Sequence, residues 1–114
     1  MHFVMKDSVL KQIIENFDEL KKKDVSSKSE AYFLTGKIEA YKKIVNYKDL
    51  YGPSKGAGWS WIDCDFLDDI VVEISIDEEG IKTLPESFDK ELIKGRLEGF
   101  KEIISILNYN NIIN

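Results

Sequence analysis

The segment WSWIDCDFLDDIVVEISIDEEGIKT, residues 59 to 83, decides the fold. From 59 to 66 it alternates, with Ile62, Cys64 and Phe66 on one parity and Trp59, Trp61, Asp63 and Asp65 on the other. From 70 to 77 it alternates again, setting Ile70, Val72, Ile74 and Ile76 against Val71, Glu73, Ser75 and Asp77. A period of two is the mark of a half-buried strand, because successive side chains leave opposite faces of a sheet. Leu67, Asp68 and Asp69 then predict a short hairpin connection, and the turn DEEG at 77 to 80 leads into a brief strand at Ile81 to Thr83, which Pro85 stops. A three-stranded antiparallel meander is the expected result.

On both sides of this segment the apolar period changes to that of a helix. Residues 7 to 23 place Val9, Leu10, Ile13, Ile14, Phe17 and Leu20 on one face, with Asp7 available as N-cap and lysines at the far end. Ser27 and Glu30 predict a capping box for a second helix that turns Phe33, Leu34, Ile38, Tyr41, Ile44 and Val45 inward and ends near Asp49. YGPSKGAG, residues 51 to 58, is a loop by its glycine, proline and serine content. A last helix from about Phe88 to Asn108 buries Leu92, Ile93, Leu97, Phe100, Ile103, Ile104 and Leu107. The predicted fold class is therefore α+β: a three-stranded antiparallel meander packed on three helices, in the order α-α-β-β-β-α. With 114 residues the elements must share one core, so residues 1–114 are expected to form a single compact domain.

Two of these helices echo each other. GKIEAYKKIV at 36 to 45 aligns with GRLEGFKEII at 95 to 104. Glycine costs roughly 1 kcal/mol relative to alanine inside a helix, so Gly36, Gly95 and Gly99 require a reason, and close backbone approach supplies one. The pattern predicts a tight crossing of the two helices near Ala40, with Tyr41 and Phe100 filling the space on either side. A homodimer through the Gly36, Gly95 and Gly99 faces is the alternative, ranked second because one small domain can hardly spare its two longest apolar faces.

Composition narrows the function classes. Apolar residues make up 43% and charged residues 32%, which excludes a mainly disordered chain. No apolar run reaches the length of a membrane span, and no signal pattern opens the sequence. Cys64 is the only cysteine, so neither an intramolecular disulfide nor a cysteine-based zinc site can form, and a cytoplasmic, reducing location is expected. His2 is the only histidine and stands beside the first methionine, where a chain end is expected to fray; Arg96 is the only arginine. A Ser/His/Asp or Cys/His nucleophile and a guanidinium phosphate clamp are both unsupported, so no enzyme activity and no cofactor are expected.

The net charge of -5 is local in origin: residues 59 to 81 hold eight acids and no base. On the meander reading Asp63 lies opposite Glu73, a like-charge pair that destabilises a sheet by up to about 1 kcal/mol and so marks a functional site. The expected partner-binding residues are Trp59, Trp61, Asp63, Asp65, Asp68, Asp69, Glu73 and Asp77, with Glu78 and Glu79 completing the acidic run. Indoles would supply buried area and carboxylates would supply steering toward a basic protein such as a nuclease. In size and acidity the chain compares with nuclease-toxin immunity proteins and phage-encoded anti-defence inhibitors, a similarity of surface character alone. The competing readings are a Mg²⁺ or Mn²⁺ phosphodiesterase built on Asp63, Asp65 and Glu73, and small-molecule or nucleotide sequestration by Gly52, Lys55, Gly56 and Gly58 of the loop. Direct nucleic-acid binding is disfavoured: Lys37, Lys42, Lys43 and Lys48 make a strip that Glu39 interrupts.

Overall fold

The segment that decides the fold enters as a strand and leaves as a helix. The computed structural model describes residues 1–47 and 58–109. Its elements are β1 (His2–Lys6), α1 (Asp7–Lys21), α2 (Lys28–Val45), β2 (Trp59–Asp63), α3 (Cys64–Thr83) and α4 (Phe88–Leu107). The expected meander and its three-helix order are thus overturned: there are four helices and one two-stranded sheet among the described residues, in the order β-α-α-β-α-α.

The reason lies in a second period hidden in the same residues. Leu67, Ile70 and Asp77 are buried on α3, and Phe66 and Ile74 pack beside them, a spacing of three and four that defines one helical face. Val72 and Ile76, inward on the strand reading, are 56% and 62% exposed. β-Branched residues cost a helix only a few tenths of a kcal/mol each, so burial of the helical stripe outweighs their strand preference. The Asp63 carboxylate accepts from the Asp65 amide at 2.8 Å and starts the helix. Leu84, held extended ahead of Pro85, follows its end.

The strand that pairs with β2 is the N-terminus. β1 and β2 are antiparallel, with His2 opposite Asp63, Val4 opposite Trp61 and Lys6 opposite Trp59. His2 therefore does not fray; it sits in the ladder, its ring 5.5 Å from that of Trp61. Met5, Ser60 and Ile62 face the core, and Val4, Lys6 and Trp59 face outward.

Helix ends refine the expectations. α1 stops at Lys21, and Asp7 is its first residue rather than its cap, its carboxylate accepting from the Ser60 hydroxyl. The capping box at α2 forms with a shift of one residue: Ser27 Oγ accepts from the Glu30 amide at 3.1 Å, while the Glu30 carboxylate accepts from the amide and hydroxyl of Ser26. α2 ends at Val45, short of the expected Asp49, and Ser87 caps α4 as Ser27 caps α2.

Together β1-α1-α2 and β2-α3-α4 are two copies of one βαα unit. Val9, Leu10, Ile13, Phe17 and Leu20 of α1 match Phe66, Leu67, Ile70, Ile74 and Asp77 of α3 at a constant offset of 57, buried residue for buried residue. The α2 to α4 contact is reciprocal. A side chain on Gly36 would strike the Leu92 carbonyl, one on Gly95 would strike the Phe33 carbonyl, and one on Gly99 would lie 2.7 Å from Ala40 Cβ. These helices cross backbone against backbone, with Tyr41 and Phe100 buried beside the crossing as the sequence implied. The glycine faces meet within one chain, and the homodimer they were alternatively expected to form would need surface that this contact has consumed.

Candidate functional site

Four of the eight acids between 59 and 81 are joined to partners within the chain. Asp68 accepts from the Tyr109 hydroxyl at 2.7 Å; burial, then this bond, push the Tyr109 phenol above its ordinary range. Glu73 pairs with Lys43 at 2.9 Å and Glu78 with Lys101 at 3.3 Å. Asp77, 2% exposed, accepts from Arg96 Nε at 3.0 Å and Nη2 at 2.7 Å, and this pairing raises the Arg96 pKa. A fifth, Asp63, is occupied in starting α3. The expected gathering of all these carboxylates on one exposed sheet face does not occur. Nor does the like-charge pair, since Asp63 stands opposite His2 and Glu73 belongs to a helix.

Asp65, Asp69 and Glu79 remain exposed and form no salt bridge among the described residues. Their spacing is informative. With 100° per residue, Asp65, Asp69, Val72, Ile76 and Glu79 fall within an arc of about 80°, along about 21 Å of helix axis. They make one solvent-facing stripe on α3, with two aliphatic side chains at its centre and carboxylates at both ends. Sequence reasoning placed Asp65 and Asp69 in the site and counted Glu79 only in the acidic run, and it missed Val72 and Ile76. The steps of four, three, four and three between these positions were the available signal, masked by the alternation that suggested strands.

The tryptophans belong to a different surface. Trp59 is 48% exposed and Trp61 half-buried on the outward face of the sheet, beside Val4 and Lys6. The structure therefore divides the expected site. Trp59, Trp61 and Asp63 lie on β2, Asp65 and Asp69 lie on the α3 stripe, and Asp68, Glu73 and Asp77 are turned to partners of their own.

The competing chemistries fare unequally. Asp63, Asp65 and Glu73 do not converge on a cation position, because Glu73 is turned to Lys43; no group of three metal-ligating side chains occurs among the described residues. Of the glycine-rich loop only Gly58 is described, with φ +93° and its carbonyl accepting from the Asp7 amide; Gly52, Lys55 and Gly56 lie outside the described residues, as does Lys48 of the lysine strip. Within that strip Lys37 is bound to Glu102 at 2.6 Å and Lys43 to Glu73. A groove of about 390 Å³ opens between Leu20, Val25, Phe33 and Leu34. Three of its charged groups are already engaged, Glu30 by Ser26, Lys37 by Glu102 and Glu91 by Lys94, and the other two, Lys23 and Asp24, are of opposite sign, so its lining selects no ligand charge. No helix among the described residues is long and apolar enough to cross a membrane.

Fold and surface together define an α+β domain of two βαα units, one of which carries an acidic and aliphatic helix stripe. Comparison with protein-family models, with curated proteins and with solved structures finds no match to this chain.

Proposed function

We propose that this protein is a small acidic inhibitor, of the immunity or anti-defence type, which occludes a basic surface of a nucleic-acid-processing protein partner such as a nuclease. The observation that carries the reading is the α3 stripe: Asp65, Asp69 and Glu79 keep their charge exposed while the neighbouring carboxylates are joined to partners within the chain. Carboxylates spaced along a rigid helix attract lysine and arginine of the partner, and the docked protein covers the basic surface that nucleic acid would otherwise reach. The net charge of -5 accelerates encounter with such a surface and makes the association salt-dependent.

Affinity capture from the source cells at low and high salt, with the wild-type chain and the Asp65→Asn/Asp69→Asn/Glu79→Gln variant side by side, tests this. A basic protein retained by the first and lost by the second is then purified and its affinity measured. The expected loss on neutralisation is at least about tenfold, or about 1.4 kcal/mol. Equal affinity of the two chains for that protein contradicts the proposal.

A further inference from the structure

We infer that the α3 stripe docks a cationic amphipathic helix of the partner, with Val72 and Ile76 as the apolar anchor and Asp65, Asp69 and Glu79 engaging lysine or arginine on either side. This rests on the reading above and names the kind of surface that the stripe meets.

The two βαα units provide an internal control. At the offset of 57 that aligns the buried faces of α1 and α3, the stripe positions Asp65, Asp69, Val72, Ile76 and Glu79 correspond to Ser8, Gln12, Glu15, Glu19 and Lys22. All five of those residues are exposed, as a solvated helix face should be. The same place in the same fold is therefore polar with mixed charge on one helix, and aliphatic with acids of one sign on the other. Folding does not require the difference, since α1 packs through the equivalent buried face without it.

The apolar centre decides between two kinds of basic surface. A groove built for phosphates needs only the carboxylates, and two aliphatic side chains facing it would bring no complementary contact. A helix with an apolar centre and cationic ends matches both features. Side chains spaced four, three, four and three along α3 form one seam, and a facing helix meets such a seam with apolar residues at the same spacing and charges flanking them. Burial of Val72 and Ile76 contributes affinity, and the carboxylates set orientation and register.

The test uses the full chain and two fluorescent, helix-forming peptides of identical composition. In the first, leucines hold the central seam positions and lysines the outer ones; in the second the two sets are exchanged. Fluorescence anisotropy should show the first binding at least about tenfold tighter. Val72→Ser/Ile76→Ser should abolish that preference, and neutralising Asp65, Asp69 and Glu79 should weaken both peptides. These substitutions change exposed side chains only, and an unaltered thermal transition verifies the fold. Equal binding of the two peptides, or failure of both to bind, overturns the helix partner; if neutralisation still weakens equal binding, the acidic-surface reading stands without it. Undiminished binding of both peptides to the neutralised variant overturns both.

Discussion

Asp77 and Arg96 form a two-point pair in which the carboxylate is 2% exposed and the guanidinium closes over it from α4. In the first βαα unit the position of Asp77 is held by Leu20 and that of Arg96 by Lys37, which pairs with Glu102 instead, so the buried ion pair is particular to the second unit. Removing one partner of a buried pair leaves the other uncompensated, at a cost of several kcal/mol. Asp77→Ala is expected to lower stability by about 3 kcal/mol, the low end of that range because the Arg96 side chain keeps 29% exposure. Asp77→Leu combined with Arg96→Met, which puts an apolar contact in place of the ion pair, should recover most of the loss in urea denaturation. A double variant no more stable than Asp77→Ala would show that the pair has no apolar substitute here.

Glycine to alanine should have opposite effects at two places. At Gly36 or Gly95 the new methyl group meets a carbonyl of the facing helix, and one helix must move away from the other. Either substitution is expected to destabilise by about 2 kcal/mol or more despite the helix-propensity gain. At Gly80 the nearest atom is Leu84 Cδ1 at 3.9 Å, so the methyl group fits and Gly80→Ala should stabilise by up to about 1 kcal/mol. Thermal unfolding of the three variants checks the contrast.

Alkaline stability should depend on Tyr41. Burial, then the hydrogen bond donated to Glu102, push its hydroxyl up to about 12 from an ordinary value of 10.0. Because the folded chain holds this proton more tightly than the unfolded one, the contribution is complete below pH 10 and is lost as pH rises from about 10 through 12. Unfolding free energy of the wild type should therefore fall across that window. Tyr41→Phe should lack this component, and an identical decline in the variant would exclude Tyr41 as its source.

Much of the helical framework was legible because its signals are local. The amphipathic faces of α1, α2 and α4 read directly, Ser27 and Glu30 marked a helix start, and three glycines inside good helices announced a close crossing. α3 was not legible, because Ile70, Val72, Ile74 and Ile76 satisfy the strand period as well as part of the helical one. Only packing chooses between them. β1 escaped notice for another reason: five residues at a chain end carry too little pattern, and their pairing with residues near 61 is a long-range fact. The acidic segment was visible by composition, but its division was not. Whether an acid meets Lys43, Arg96 or Lys101 depends on helices brought together from distant parts of the chain.

The exposed stripe should be dispensable for folding. Val72→Ser with Ile76→Ser removes aliphatic surface that is already in water, so stability should change by no more than about 0.5 kcal/mol. A loss several times larger would mean that these side chains pack against the protein itself.

Backbone-amide chemical-shift mapping during titration with the cationic amphipathic peptide is the most direct measurement of where this protein binds. The expected result is perturbation concentrated on residues 65, 69, 72, 76 and 79 of α3, with the matching positions 8, 12, 15 and 19 of α1 and position 22 at its C-cap unchanged. Equal shifts on the two helices, or shifts confined to the Trp59 and Trp61 face of the sheet, would contradict the assignment of the interaction surface to α3.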